Sequence, residues 1–374
     1  MNILIINPII YTQETANIKK VSSIKDCMIC DLCSAFSELG CNVTLAASDL
    51  FAPTNQESYS FDIVWFESCY PQLFKPNCFP LLKGLKSYLK NNLNHYDLVI
   101  SSEVFSVNTL IAYRVFKDKL VVWHELAKHN AIFHQLPSKF WYNVITRFFM
   151  KNARVVARSY EARDFISAFV DNVSSDIIEH GVNLEAFQVA PETKNQFIVC
   201  SQLIPRKQID RIIAIFARYL NKYDRSTTLY IVGDGELKEP LQLQAASLSI
   251  VDNVVFTGQL SHAELLPLLS ESMAFLVNTR KDNNMISVIE SIACGVPVLT
   301  SEVPYNASYI KSHALGIAKN NWNEDDLRLI VEKQDFYRRS CLEYRDSLSM
   351  VKKAESFIKL IGKRTGETCI RSHM

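Results

Sequence analysis

Short apolar runs recur along the chain, separated by longer stretches in which apolar residues return every three or four positions. In the first half the runs are Ile3–Ile6, Val43–Ala46, Ile63–Phe66, Leu98–Ile100, Leu120–Trp123 and Val155–Ala157. Most are nearly continuous rather than alternating, the pattern of strands buried on both faces of a parallel sheet. The stretches between several of them supply the crossover helices that parallel pairing requires. The second half repeats this grammar with Phe197–Leu203, Thr228–Val232, Val254–Phe256, Ala274–Val277, Val296–Thr300 and Leu315–Ala318. No short repeat relates the halves, so their likeness is one of architecture. Residues 180–193, HGVNLEAFQVAPET, follow neither period and carry a proline, which puts the seam there. After about Asn323 the chain is charged and helical, with a last helix near Ala354–Ile361. The pattern predicts an α/β protein of two doubly wound domains facing a cleft, residues 1–185 and 186–349. The C-terminal helix at about 350–370 is a candidate to complete the first domain.

Composition narrows the possibilities. A chain of 374 residues exceeds one ordinary core and suits two. With 48% hydrophobic and 21% charged residues, wholesale disorder is excluded. A net charge of +1 provides no global field toward nucleic acid, so no nucleic-acid partner is expected. No apolar run reaches the ~18 residues of a membrane span. The opening MNILIINPII lacks a basic flank and a small-residue cleavage site, and reads as a buried strand rather than a signal peptide. Ten glycines in 374 residues is less than half the usual ~7%, which argues against glycine-rich nucleotide loops. No G-x-G-x-x-G follows Ile3–Ile6, which argues against a dinucleotide oxidoreductase. Of ten cysteines, Cys27, Cys30, Cys33 and Cys41 form the one cluster. The first three share a helical stripe with Ile29, Leu32 and Phe36, the setting of packed thiols. A metal or iron–sulfur site would want a fourth ligand and loop-like backbone. Without a signal peptide the thiols are expected reduced and the compartment cytoplasmic.

Candidate chemistry concentrates in the second half. After the run Phe197–Leu203 comes IPRKQID, where Arg206 and Lys207 stand just before a helix. Two cations beside outward-pointing first-turn amides make a place for a diphosphate, although a solvated basic pair has the same appearance. The next strand ends in IVGDGE, a tight turn in which Gly233 and Gly235 let backbone approach a ligand. The third element is DNNMISVIESIACGVPVLT, with Asp282 and Glu290 eight apart. A helix entered at about Asn284 turns backbone amides toward an anion. Glu290 then projects about two turns in, beside Ala293, Cys294 and Gly295, and needs a hydrogen-bonding partner if buried. Ribose hydroxyls would serve, and the plain alternative is a capped amphipathic helix.

The order PRK-x2-D, VGDGE, VVFTGQLSHAEL and D-x7-E-SIACGVPV resembles the second domain of the retaining family-4 glycosyltransferases of GT-B fold. MNILIINP, VVWHE at 121–125, ARVVARSYEARDF at 153–165 and HGVNLEAF at 180–187 resemble the first domain more loosely. The resemblance implies two Rossmann-like domains. It also implies retaining transfer of a hexose-type sugar from a nucleotide-diphosphate sugar, UDP-sugar favoured, to a glycan or lipid-linked acceptor in bacterial surface polysaccharide assembly. By the same resemblance Arg206 and Lys207 hold the donor diphosphate, and Glu290 binds the ribose. Asp282 contacts sugar hydroxyls, and the amides of Asn283, Asn284, Met285, Ile286 and Ser287 cradle sugar and phosphate. Gly258 and Gln259 match a base-binding turn, and His124 matches a histidine near the reacting carbon. These residues depart from the family pattern in places. Ser201 and Gln202 replace Gly-Arg, Gln208 replaces a glycine, and Asn283–Met285 replace a Gly-Phe-Gly-like stretch. Asp282 replaces a glutamate, His180 replaces an asparagine, and the glycine pair usual near Thr12–Asn17 is missing. No Asp-x-Asp occurs to hold a bridging divalent ion, so no metal is expected, and no cofactor is expected beside the nucleotide-sugar co-substrate.

Two other classes fit the same scaffold: an idle GT-B homologue serving as a partner subunit, and a sugar-nucleotide epimerase or hydrolase. A surface is also marked out. Between Glu125 and Glu161 there is no acid, yet Lys128, Lys139, Arg147, Lys151, Arg154 and Arg158 fall there. The last four are spaced 4, 3 and 4, so one helix would align them, with Phe140, Trp141, Tyr142, Ile145, Phe148 and Phe149 around it. A second acid-free stretch sets Lys83, Lys86 and Lys90 against Leu81, Leu82, Leu85 and Leu89. Such helices suit peripheral attachment to an anionic membrane, the alternative being solvated faces of core helices.

Overall fold

The computed structural model describes residues 1–11, 15–128 and 134–370, with 362–370 described by backbone alone. The loop near Thr12–Asn17 is thus described only from residue 15, and the terminal RSHM lies outside the described residues. The chain forms two compact units, Met1–His180 with Met350–Met374, and Gly181–Ser349.

The first unit is built on β1 (Asn2–Ile6), β2 (Asn42–Ser48), β3 (Asp62–Phe66), a short antiparallel pair β4 (Ser68–Cys69) and β5 (Leu81–Leu82), β6 (Leu98–Ser102), β7 (Leu120–His124), β8 (Arg154–Ala157) and β9 (Val173–Ile177). Seven of these make one parallel sheet in the order β3-β2-β1-β6-β7-β8-β9, with Ile5 opposite Leu45 on one side and Ile100 on the other. Alternate side chains of β1 serve two cores. Ile3 and Ile5 join Ile29, Leu32 and Phe36 of the helix Met28–Glu38, together with Met350, Ala354 and Phe357. Leu4 and Ile6 join Leu85, Leu89, Val122 and Tyr142 on the other face. Each fully buried side chain of this kind contributes about 1.5–3 kcal/mol, and so the C-terminal helix Met350–Ile370 is held to the first unit. Cys30 and Cys33 are buried in the same layer, and burial pushes the Cys27 thiol up to about 12 and raises those of Cys30 and Cys33 as well.

The second unit has β10 (Gln196–Cys200), β11 (Thr228–Val232), β12 (Val254–Gly258), β13 (Ala274–Leu276), β14 (Val298–Thr300) and β15 (Gly316–Ala318). They form a parallel sheet in the order β12-β11-β10-β13-β14-β15. The helix Ile209–Lys222 covers one face through Ile212, Ile213, Phe216 and Leu220, and Ile286–Ala293 covers the other through Val288, Ile289 and Ile292. Both units are Rossmann-like.

Apart from shifts of one or two residues at element ends, three features of the first and second units differ from the periodic pattern. The strand expected to reach Leu203 stops at Cys200; beyond it Ser201 still donates its amide to Val232 at the end of β11, and Leu203 donates to Asp234 in the turn that follows. β9, with the sequence VSSDI, was not predicted: it is an edge strand, and its polar residues give no apolar run. The single helical face of Arg147, Lys151, Arg154 and Arg158 does not exist. Helix ends at Phe149, Lys151 lies in a turn, and Arg154 opens β8 with its guanidinium on the Leu360 carbonyl at 3.2 Å.

In each sheet the chain winds outward from one strand and then restarts on its other side. The reversal falls between β1 and β6 in the first unit and between β10 and β13 in the second. Loops leaving such a pair diverge to opposite faces and open a crevice at the carboxyl ends, where α/β sheets bind ligands.

Candidate functional site

In the second unit, β10 leads to Pro205–Lys207, one tight turn that precedes the helix Ile209–Lys222. Gln208 joins them at φ 48°, the left-handed conformation a glycine would adopt at less cost. From β13 comes the loop 277–285, pinned to the first turn by the Arg280 amide donating to the Arg206 carbonyl at 3.0 Å. The two loops meet through charge. Asp282 Oδ1 lies 2.8 Å from Arg206 Nη1, and its Oδ2 lies 2.8 Å from Lys207 Nζ. Thr279 donates to the same Oδ2 at 2.9 Å, and Arg206 donates to the Lys281 carbonyl at 2.6 Å. Burial pulls the Lys207 ammonium below its ordinary range, against the opposing pull of Asp282. The trio carries one net positive charge at the switch point.

The glycines of the next turn serve close approach between loops. A Cβ on Gly233 would lie 2.0 Å from the Ser201 carbonyl oxygen, and one on Gly235 would lie 2.5 Å from that of Leu203. Gly258 ends β12 at φ 74° with open space around it, and Gln259 is exposed. A capping box of Ser261 and Glu264 then starts the helix His262–Ser270.

The helix carrying Glu290 begins at Ile286 rather than about Asn284. The cause is Asn306, fully buried, whose Oδ1 accepts the Met285 amide at 2.7 Å while its Nδ2 donates to Asn284 Oδ1 at 2.7 Å. Asn283–Met285 are therefore a braced loop, and Ile286 and Ser287 belong to the helix's first turn, where amides lack intrahelical partners. Glu290 is 7% exposed, with Oε1 3.1 Å from His262 Nε2. Between the two clusters sits Cys200 at the end of β10. Burial and then Glu290 push its thiol up to about 12, against the opposing pull of Lys207. Arg206, Lys207, Asp282 and Glu290 thus converge on the end of one strand.

The first unit has a cavity of about 200 Å³ at its own switch point, lined by Asn7 after β1, Ser102 at the end of β6, Glu103 and Phe105 after it, and Glu125 and Arg158. His124 ends β7, fully buried, with Nδ1 2.9 Å from Glu103 Oε2 and its ring stacked on Phe165. Glu103 sits at φ 66° and accepts the Glu125 amide at 2.8 Å. Arg158 is the other correction to the surface cations. It is buried, 3.7 Å above the Trp123 ring and 2.9 Å from Glu125 Oε2, with His180 Nε2 3.4 Å away. Burial would raise the Glu125 carboxyl, but His180 and Arg158 outweigh it and hold it at about 2. Lys83 precedes the helix Leu85–Asn91 and pairs with Glu67 at 2.6 Å, so only Lys86 and Lys90 share that helix. Arg147 and Lys151 remain exposed, Lys151 facing Asp171 at 3.2 Å. His262, Asn306 and Glu103 were missed from sequence. Each is an ordinary polar residue whose role comes from a partner far along the chain.

Residues 183–334 match the family model described as Glycosyl transferases group 1. The chain is 26% identical over 179 residues to the alpha-monoglucosyldiacylglycerol synthase of Streptococcus pneumoniae, covering 43% of this chain and 40% of that protein. It is 26% identical over 197 residues to the O-antigen chain mannosyltransferase RfbU of Salmonella typhimurium, covering 51% and 54%. The chain therefore matches only about half the length of these curated relatives. The crystal structure of Anabaena Alr3699/HepE in complex with UDP-glucose superposes with a TM-score of 0.69 at 15% identity, over 97% of this chain and all of that one. WaaG, a glycosyltransferase involved in lipopolysaccharide biosynthesis, gives 0.65 at 14% identity over 96% and 99%. Two parallel Rossmann-like units with a charged switch point in the second are the GT-B fold. Within that fold, residues 183–334 of the second unit are similar to the glycosyl transferases group 1 family, and part of the chain is similar to bacterial glycosyltransferases that build glycolipid and O-antigen.

Proposed function

We propose that this protein is a retaining, metal-independent glycosyltransferase that moves a hexose-type sugar from a nucleotide-diphosphate sugar to a glycan or lipid-linked acceptor in bacterial surface polysaccharide assembly. The observation that carries the reading is the pairing of Arg206 and Lys207 on Asp282 at the switch point, with Glu290 at the same strand end. A departing nucleoside diphosphate develops negative charge, and cations already fixed by their own loops stabilise it without reorganising. Lys207 is the better placed of the two, with a side chain 12% exposed against 38% for Arg206. Asp282, adjoining both, is the acid suited to sugar hydroxyls, and Glu290 the acid suited to the ribose. His124 is fully buried, so its contribution passes through Glu103, whose carboxylate it meets at 2.9 Å beside the first unit's cavity, and not through direct contact with the sugar. A UDP-sugar donor is supported by the HepE complex with UDP-glucose, and a lipid or surface-glycan acceptor by the names of the two curated relatives.

A cytoplasmic protein attached peripherally to an anionic membrane also fits the first unit. Leu136, Phe140, Phe148 and Phe149 are exposed along 136–149, beside Lys139, Arg147 and Lys151. Among the described residues no helix is long and apolar enough to cross a membrane. One observation favours the idle-homologue reading: the Met285 amide, assigned to the donor by resemblance, is taken by Asn306. A thermal-shift screen of sugar nucleotides followed by transfer assays, with and without EDTA, separates the two. Transfer with retained anomeric configuration is expected. Stabilisation without turnover on any acceptor selects the idle homologue, and release or isomerisation of donor alone selects the epimerase or hydrolase.

A further inference from the structure

Glu290 is a carboxylate inside an otherwise apolar layer. It is flanked by Ile289 and Ile292, and it raises the buried thiols of Cys200 and Cys294. A charge in such surroundings needs a hydrogen-bonding partner. Lys207 is near enough to act on the same Cys200 thiol, but its ammonium is spent on Asp282 at 2.8 Å. The partner is His262, Nε2 to Oε1 at 3.1 Å.

His262 is held for this task. It is the first residue of the helix His262–Ser270, whose start is locked by Glu264 Oε2 accepting the Ser261 amide at 2.9 Å and its hydroxyl at 2.7 Å. Its ring meets the buried Phe187 edge to face at 6.1 Å. Facing a carboxylate oxygen, Nε2 carries the proton and donates. The other oxygen is left differently. Among the described residues no hydrogen bond reaches Glu290 Oε2, and it is not among the buried polar atoms without a partner, so it keeps access to solvent. An ionised carboxylate has about four lone-pair sites. With one oxygen tied, the group is held in a single orientation with the rest of its acceptor capacity directed outward. Two adjacent hydroxyls are the ligand that uses such a group fully, and the diphosphate-binding cations share its strand end.

We propose that His262 is a positioning residue for ribose recognition: it fixes Glu290 so that the carboxylate accepts from the vicinal diol of a ribonucleoside diphosphate. The inference rests on the nucleotide-sugar reading of the site. It makes His262 the link between the turn Gly258–Gln259 and the acid on the facing helix.

The test is calorimetric binding of UDP and 2′-deoxy-UDP, with the GDP and ADP pairs alongside, to the full chain and to His262→Ala and His262→Gln. A hydrogen bond to a charged group predicts that the wild type prefers the ribonucleotide by about 10- to 100-fold. His262→Ala should reduce that preference to about 3-fold or less, through loss of ribonucleotide affinity with little change for the deoxy form. His262→Gln, which keeps an N–H donor, should restore part of it. The ratio is read within each folded variant, so a general loss of stability does not move it. If His262→Ala does not fold, His262→Met fills the volume without a donor and takes its place. An unchanged ratio in the donor-less variant overturns the proposal while leaving the nucleotide site standing. Failure of the wild type to bind any of the three diphosphates overturns the functional reading and this inference with it.

Discussion

The two units place a crevice at the same topological point and furnish it in opposite ways. Between β10 and β13 the loops bring two cations onto one carboxylate, and Arg206 stays more than a third exposed. Between β1 and β6 the loops bring Glu103 and Glu125 to a cavity with Phe79 and Phe105, and the one guanidinium there, Arg158, is buried on Trp123. Arg206 is 38% exposed and shares its carboxylate with Lys207, which leaves one positive charge uncompensated, whereas Arg158 is buried and neutralised by Glu125. The winding of the sheet decides where a ligand can sit. The residues at the strand exits decide its chemistry: two cations on one carboxylate in the second unit, and two carboxylates beside aromatic rings in the first.

The largest expected effect follows from that contrast. Lys207→Ala should lower transfer by about 10² to 10³ at saturating donor, with little change in melting temperature, because it removes a contact that strengthens as the diphosphate leaves. Near-wild-type turnover would remove Lys207 from the mechanism. Arg158→Ala should do the reverse, costing about 2–3 kcal/mol of stability by stranding Glu125, and Arg206→Ala should cost less than about 1 kcal/mol. Urea titration followed by far-UV circular dichroism, which reports both units, decides between them.

The same pair carries a pH dependence. The folded Glu125 carboxyl, at about 2, lies below its unfolded value, so its contribution is complete above about pH 5 and is lost as pH falls toward 2. Glu125→Gln should flatten the loss of first-unit stability between pH 5 and 3, and a wild-type slope in that variant would show that other carboxylates cause it.

Smaller effects are expected on binding of bare nucleoside diphosphate. Glu290→Gln should weaken it about 10-fold by losing an ionised acceptor. Asp282→Asn should leave it unchanged or tighten it, since that carboxylate competes with the ligand for both cations. If Asp282→Asn weakens binding more than Glu290→Gln, the two acids have been assigned the wrong way round. The smallest effect is a few-fold gain in vesicle binding. Co-sedimentation should rise with anionic lipid, fall with salt, and weaken when Phe140 and Phe148 become Ser. Equal partitioning onto neutral and anionic vesicles, or none onto either, removes the membrane surface from the reading.

By itself the sequence determined the sheet-forming runs, the alternation that makes both sheets parallel, the positions of Arg206, Lys207 and Asp282 on loops that leave strands, and that of Glu290 on the helix after Asp282. These are local properties: burial on two faces demands continuous apolar runs, and a loop after a strand announces itself by its polar residues. Only the tertiary structure decided which charges meet. Asp282 joins Lys207 across 75 residues, His262 reaches Glu290 across 28, and Asn306 braces Asn284 across 22. Arg158, spaced as a fourth surface cation, turned inward because β8 ends beneath it and Trp123, Glu125 and His180 surround its guanidinium. Periodicity can say which face of an element is buried. It carries no information about the group that another loop delivers to that face, since this depends on how the strand exits diverge in three dimensions.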